Sequence, residues 1–461
     1  MSSQTGLLNS AQMGAYVRDG YLSVKADYPA DFHGSIFAQL EHVIHDEWNP
    51  GNNILPRVPD LQEILDHPNV VGALTSILGP NFFYHPHHHC HFNPPGSEGQ
   101  RLHKDGYTRR QHRTRWVMAM YYPQDTTPDM GPTGAVPSSH YNNTPPDPER
   151  EVGMAGEAGT VNIVHYDIFH RGTPNQSDKN RYMVKFLVVR MEEPDTPSWD
   201  DGDADWESTG DIRDGMWATM WDWHRGVKGS APQRPDEEPS RLFEALKGDS
   251  EPEALRAAYL LGHAGDGAVG PLMDTLRAGS DRLAEELDQY DGVSIGSQNA
   301  IYALTAMGAP AVPALADATK DSSAAVRAIA AAAIGEIGRA GQEGVPALEA
   351  ALNDESLEVR RQAAEALGIA DGEGRSVPSL IDTLDDEEPN VRKAAALSLA
   401  RLGTRAEEAT PKLIEALKDT NPGVRAKSLH ALRRIDTDEA RTALLKFLTT
   451  ARWENLVGKK G

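Results

Sequence analysis

Four Val-Arg pairs recur at almost constant spacing through the second half of the chain, and this period limits the fold more than any single residue. Val326-Arg327, Val359-Arg360, Val391-Arg392 and Val424-Arg425 stand at steps of 33, 32 and 33 residues. An aspartate lies six positions before each arginine: Asp321, Asp354, Asp386 and Asp419. A second marker keeps step, as Val312-Pro313, Val345-Pro346, Val377-Pro378 and Thr410-Pro411 each open an apolar segment. Proline suits the first turn of a helix, where its missing N–H has no intrahelical acceptor. Each marker therefore starts a first helix. The alanine-rich stretches that follow the Val-Arg pairs, such as Ala328–Gly335 and Ala394–Leu402, read as closely packed second helices. One such pair cannot bury its apolar face alone, so the units must stack into an α-α superhelix.

These residues resemble HEAT repeats, in the short form with a proline-led first helix and a Val-Arg-led second helix. The resemblance spans residues 239–440, roughly six units by that period. Two units are irregular. The first keeps Leu255-Arg256 but shifts its aspartate to Asp249. The second carries an insert near Gly279–Gly292, with Ser297-Gln298-Asn299 where Val-Arg would stand. The Asp and Arg residues read as an intramolecular ladder between repeats. The array as a whole reads either as a protein-binding or self-association surface or as a stabilising appendage.

A chain of 461 residues exceeds one ordinary core. Fifteen of the 17 histidines precede residue 240, and Gly226–Pro235 has linker composition. The expected division is therefore 1–228 for a first domain, 229–238 for a linker, 239–440 for the repeats and 441–461 for a C-terminal helix or tail. The net charge of −23 argues against nucleic acid and anionic membranes as partners. The single cysteine, Cys90, rules out an intrachain disulfide and fits a cytoplasmic location. The first ten residues lack a signal-peptide pattern, and no apolar run is long enough to span a membrane.

The chemistry lies in the first half. The sequence predicts a helix over Ala11–Asp19, capped by Ser10 and ended by Gly20, then a strand at Tyr21–Val24 and a helix over Pro68–Leu78. Short alternating runs follow, as in an antiparallel barrel or jelly roll. In His103-Lys104-Asp105 an imidazole and a carboxylate point to one face of an extended backbone. With the distant His170 they make a two-His, one-carboxylate set, which leaves positions open on Fe(II) for a co-substrate and O2. Arg181 follows His170 by eleven residues in an alternating segment, Asn180–Phe186. There it would grip the far carboxylate of 2-oxoglutarate with a two-pronged hydrogen bond. A rival site is the imidazole row His85, His87, His89 and His91, which would share one strand face. A hydrolytic Zn(II) enzyme built on that row has no carboxylate at a suitable spacing. The row reads instead as solvent-facing and cavity-lining residues, with His89 as a candidate substrate contact.

Taken together, Tyr16–Leu22, the His103/Asp105 dyad, Pro137-Ser138-Ser139-His140, His170 with Pro174-Asn175, and Arg181 resemble the phytanoyl-CoA dioxygenase family over residues 7–225. The resemblance implies a double-stranded β-helix (jelly roll, cupin-like) with flanking helices. It also implies an Fe(II)- and 2-oxoglutarate-dependent hydroxylase that uses O2 and releases succinate and CO2, with His103, Asp105 and His170 on the metal and Arg181 on 2-oxoglutarate. Many members carry a serine two residues after the distal histidine. Here that position is Gly172, and the contact is expected to move to Thr173. Asp105 disfavours halogenation, which in related enzymes needs a small residue there.

Arg101, Lys104, Arg109, Arg110, Arg113 and Arg115 make the segment after the dyad basic. Arg109, Arg110 and Arg113 would steer a small anionic substrate, or else belong to a solvated loop. His140 and His165 read as structural. Asp195–Asp211 reads as a solvated loop rather than a calcium site. Trp217, Trp221 and Trp223 read as helix-core packing. The alternative to an active hydroxylase is a catalytically silent oxygenase-like protein that acts as a repeat scaffold.

Overall fold

The computed structural model describes residues 6–47, 50–105, 112–227, 237–279 and 295–451. Arg109, Arg110, most of the expected linker, the repeat insert and the end of the expected tail lie outside the described residues. Backbone contacts divide the chain into two compact units. One is built on Met1–Ser208 and Met220–Val227, the other on Thr209–Thr219 and Lys228–Asn455. The protein is multidomain, with an antiparallel jelly-roll unit and a helical repeat unit.

The first unit opens with helix α1 (Ser10–Asp19). Its cap is Asn9 and not Ser10: Asn9 and Gln12 exchange side-chain and backbone hydrogen bonds in a capping box. The Ser10 hydroxyl donates to Asp201 O instead, at 2.6 Å. Gly20 ends the helix in the left-handed region (φ +79°). A Cβ there would lie 2.3 Å from His140 Nδ1, so the position requires glycine on both counts. Helix α2 (Pro68–Leu78) has its expected limits, with proline in the first turn and Gly79 after the last residue.

The strands are β1 (Tyr21–Lys25), β2 (Phe82–Asn93), β3 (Trp116–Tyr121), β4 (Thr133–Ala135), β5 (Val152–Gly153), β6 (Thr160–His165), β7 (His170–Gly172) and β8 (Arg181–Arg190). They form a five-stranded sheet in the order β1-β6-β3-β8-β2 and a three-stranded sheet in the order β5-β4-β7. All pairings are antiparallel. Met118, Met120, Val164, Ile168, Met183 and Leu187 form an apolar cluster between them. β2 carries an irregularity between Tyr84 and His88, where four residues advance against two of β8. The regular alternation of the imidazole row therefore begins after the bulge. His85 packs beside Trp116, with ring centroids 5.6 Å apart.

In the second unit the period becomes helix pairs. α3 (Val312–Ala318) precedes α4 (Ala324–Ile337), α5 (Val345–Ala351) precedes α6 (Leu357–Ala370), α7 (Val377–Thr383) precedes α8 (Pro389–Leu402), and α9 (Thr410–Ala416) precedes α10 (Pro422–Ile435). The expected ladder is present. Arg327 donates to both oxygens of Asp354 (2.7 and 2.8 Å), Arg360 to Asp386 (2.8 and 3.2 Å) and Arg392 to Asp419 (2.7 and 3.0 Å). Each arginine also reaches back to the carbonyl of the aspartate in its own repeat. The irregular unit keeps its rung by substitution, as Arg277 Nε bonds Asp321 at 3.1 Å. A last helix, α11 (Asp438–Ala451), begins ahead of the expected tail. No single described helix is long and apolar enough to cross a membrane.

Candidate active site

β8 is buried along its whole length, and alternation turns Arg181, Met183 and Lys185 toward one face. That face lines a cavity of about 150 Å³ shared with His91, Asn93, Gln100, His103, Asp105, Met120, His170 and Gly172. The dyad and the distal histidine meet by direct backbone pairing. His103 N donates to His170 O at 3.0 Å, and His170 N returns the bond to His103 O at 2.9 Å. The serine turn holds the approach to His170. Ser138 (φ +64°) is tied to α1 through Asp19 O and Arg18 O, and Ser139 Oγ accepts from Phe169 N at 2.9 Å.

The ligand atoms converge. His103, Asp105 and His170 each offer one donor atom within 4.8 Å of the others, the one such group of three among the described residues. Asp105 Oδ1 lies 3.5 Å from His103 Nε2, and Oδ2 lies 3.8 Å from His170 Nε2. Both imidazoles are oriented alike. His103 Nδ1 bonds Arg101 O and His170 Nδ1 bonds Ile168 O, each at 3.0 Å. A carbonyl only accepts, so this assignment puts the proton on Nδ1 and leaves the Nε2 lone pair facing Asp105. Burial holds His170 in its neutral form, with its pKa lowered to about 4. Burial alone would raise Asp105, but His103, His170 and Lys185 hold its carboxylate well below the usual range. A two-imidazole, one-carboxylate set suits a divalent transition metal with open positions.

Arg181 is fixed from one side only. Its Nε and Nη2 donate to Gly131 O at 3.0 and 2.7 Å. Its Nη1 is buried without a hydrogen-bond partner. An orphaned guanidinium donor at a cavity wall fits a carboxylate. Gly131 (φ +68°) makes this approach possible, since a Cβ there would stand 2.4 Å from Asn93 Nδ2. The Thr173 hydroxyl is committed elsewhere, donating to Pro132 O at 2.7 Å, and Thr173 does not line the cavity. The neighbour that reaches Gly172 is Gln100, whose Oε1 accepts from Gly172 N at 3.1 Å. Arg113 also lies off the cavity, with its guanidinium over the Trp223 ring.

Lys185 was missed by the sequence reading, although it is the one lysine in an apolar, alternating strand. Its Nζ lies 2.7 Å from Asp105 Oδ2, and the residue is 8% exposed. His89 is its cross-strand partner on β2. Among the described residues the imidazoles of β2 form no group of three converging ligand atoms like that of His103, Asp105 and His170. The His140 and His165 rings lie tilted with centres 4.8 Å apart, and both are buried and off the cavity. Trp217 and Trp221 are buried, and Trp221 packs on Trp199.

Residues 52–183 match the family model for phytanoyl-CoA dioxygenase, a span that takes in the dyad, the distal histidine and Arg181. The jelly-roll unit carries a phytanoyl-CoA dioxygenase family domain. HEAT repeats match at 280–368, 345–423 and 377–456. A comparison with curated proteins found no match. Similar solved structures include the 2-oxoglutarate-dependent carbocyclase SnoK from nogalamycin biosynthesis, at 17% identity and TM-score 0.34, covering 40% of this chain and 85% of that one. EctD from S. alaskensis is 15% identical at TM-score 0.36, covering 41% and 80%. HygX from Streptomyces hygroscopicus, solved with nickel and 2-oxoglutarate, is 14% identical at TM-score 0.34, covering 40% and 87%. Likenesses this low assign no activity. The phytanoyl-CoA dioxygenase assignment rests on the family match and agrees with the site geometry.

Proposed function

We propose that the chain is a non-haem Fe(II)- and 2-oxoglutarate-dependent dioxygenase that hydroxylates a small anionic organic substrate. The observation that carries this reading is the convergence of His103, Asp105, His170 and the open Nη1 of Arg181 on one cavity. Fe(II) and 2-oxoglutarate, when bound, supply O2 activation coupled to decarboxylation to succinate and CO2. The protein's own groups do the rest. His103 and His170 present Nε2 because backbone carbonyls hold their Nδ1 protons. Asp105 supplies the anionic ligand. Arg181 pairs with the 5-carboxylate of 2-oxoglutarate and fixes its orientation. Met120 and Met183 give the cavity an apolar wall that limits water.

The test is anaerobic reconstitution with Fe(II) and titration with 2-oxoglutarate, in wild type and Arg181→Ala. A visible charge-transfer band that appears in wild type and weakens in the variant supports the reading. A folded, iron-loaded protein without the band sinks it and leaves the scaffold reading.

A further inference from the structure

We propose that Lys185 is the group that receives the anionic end of the substrate, and that this end is a carboxylate. The inference rests on the dioxygenase reading and adds the substrate's chemical class and its anchor.

Two cations face the cavity from β8. Arg181 and Lys185 are four residues apart on one side of the strand, about 13 Å along it by strand rise. Arg181 stands beside Gly131 and Gly172. Lys185 stands at the other end, past Met183 and against Asp105. Its ammonium is nearly excluded from water, and its hydrogen bond goes to Asp105 Oδ2. A buried ammonium is costly without an anionic partner. Asp105 serves as that partner while its carboxylate has no other cation to neutralise. A divalent metal on His103, Asp105 and His170 ends that arrangement, because one negative charge then faces three positive ones.

Among the described residues, the wall around Lys185 offers no replacement. His87, His89 and His91 are the groups beside it, and burial first, then the charge of Lys185, holds all three in their uncharged forms. Among the described residues, Asp105 is the one carboxylate among the main charges acting on His87 and His91. With no second anion there among the described residues, we infer that the substrate supplies it. His91 Nε2 is buried without a partner and offers a hydrogen bond to the same ligand. A compact cation flanked by neutral imidazoles suits a monocarboxylate better than a dianion, which would leave charge unpaired.

The experiment uses the full chain loaded with redox-inert Ni(II). Ni(II) is titrated first without 2-oxoglutarate. Lys185→Met is expected to bind Ni(II) about tenfold more tightly than wild type, because a competing cation has gone. Weaker binding would mean that Lys185 serves to hold Asp105 in place, and would overturn the proposal. Propionate and the uncharged propionamide are then titrated calorimetrically into protein saturated with Ni(II) and 2-oxoglutarate. Wild type and Lys185→Arg are expected to bind propionate and not the amide. Lys185→Met is expected to lose at least about tenfold in propionate affinity. Equal binding of acid and amide, no propionate binding to wild type, or unchanged binding in Lys185→Met each overturns it. So does a Lys185→Met variant that loses 2-oxoglutarate, since Lys185 would then belong to the co-substrate. Failure of wild type to take up Ni(II) and 2-oxoglutarate at all is a separate result and counts against the dioxygenase reading itself.

Discussion

The ladder arginines of the repeats and Arg181 of the jelly roll differ in how far their donors are satisfied. In the repeats, Arg327, Arg360 and Arg392 each spend their guanidinium on the next repeat's aspartate and on a carbonyl of their own repeat. In the jelly roll, Arg181 satisfies one edge on Gly131 and leaves Nη1 open toward a cavity. Both kinds of arginine stand at fixed, legible positions. What separates them is closure: a ladder arginine is paired within the chain, while Arg181 keeps one buried donor, Nη1, without a partner. Buried polar groups without partners cost free energy, so an open donor inside a folded protein points to use.

The sharpest way to break that comparison is to remove a ligand atom. His170→Ala deletes one of three converging donors and leaves the His103–His170 backbone pairing intact. Affinity for Ni(II) or Co(II) is expected to fall more than about 100-fold, beyond the range seen for outer-shell losses. Far-UV circular dichroism is expected to stay unchanged. A variant that keeps wild-type metal affinity would place the metal elsewhere.

Acid sharpens the contrast next. His88 and His165 in the jelly roll have pKa values lowered to about 4 and about 3, burial being the main cause. His112, His140 and His224 are also lowered well below the usual value, by the same main cause. In the repeat unit His430 is lowered to about 3. A histidine with a depressed folded pKa contributes stability that is complete above about pH 6.5. That stability is lost as pH falls through the window down to the folded value, because the unfolded chain takes up the proton first. Each such group adds a slope of at most about 1.4 kcal/mol per pH unit. The jelly roll is therefore expected to unfold at higher pH than the repeats. Among the described tryptophans, Trp116, Trp199, Trp206, Trp221 and Trp223 belong to the first unit and Trp217 to the second, so fluorescence follows mainly the first, while helical ellipticity follows mainly the repeats. Coincident transitions on lowering the pH from 6.5 to 4 would refute the difference.

Legibility in the sequence followed the same divide. The ladder could be read because each rung joins residues at a fixed offset, and repetition exposes an offset. The metal set could be read because its residue types are chemically narrow and its order matched a known family. Lys185 was not read, since one lysine in a strand has no period and its partner lies 80 residues away. Thr173 was a reasonable expectation from its position, but its hydroxyl faces Pro132 O, and side-chain direction at a strand end depends on tertiary pairing. The Asn9 cap differs from the expected Ser10 by one residue, because both can cap and Gln12 favours the box with Asn9.

The smallest expected effect tests the closed half. Arg360→Ala removes a two-pronged bond to Asp386 whose partners are each about 11% exposed, so neither surface screening nor full burial applies. Asp386 keeps the Glu388 backbone N–H at 2.8 Å, which limits the penalty of leaving it unpaired. The expected loss is about 2 kcal/mol of stability, seen as a lower midpoint in the denaturant transition followed by helical ellipticity. Asp386→Ala is expected to cost more, because it deletes both the rung and that helix-start acceptor. Neither change should alter Ni(II) affinity. A ladder variant that weakens metal binding would show that the repeats support the site, and closure would no longer separate the two halves.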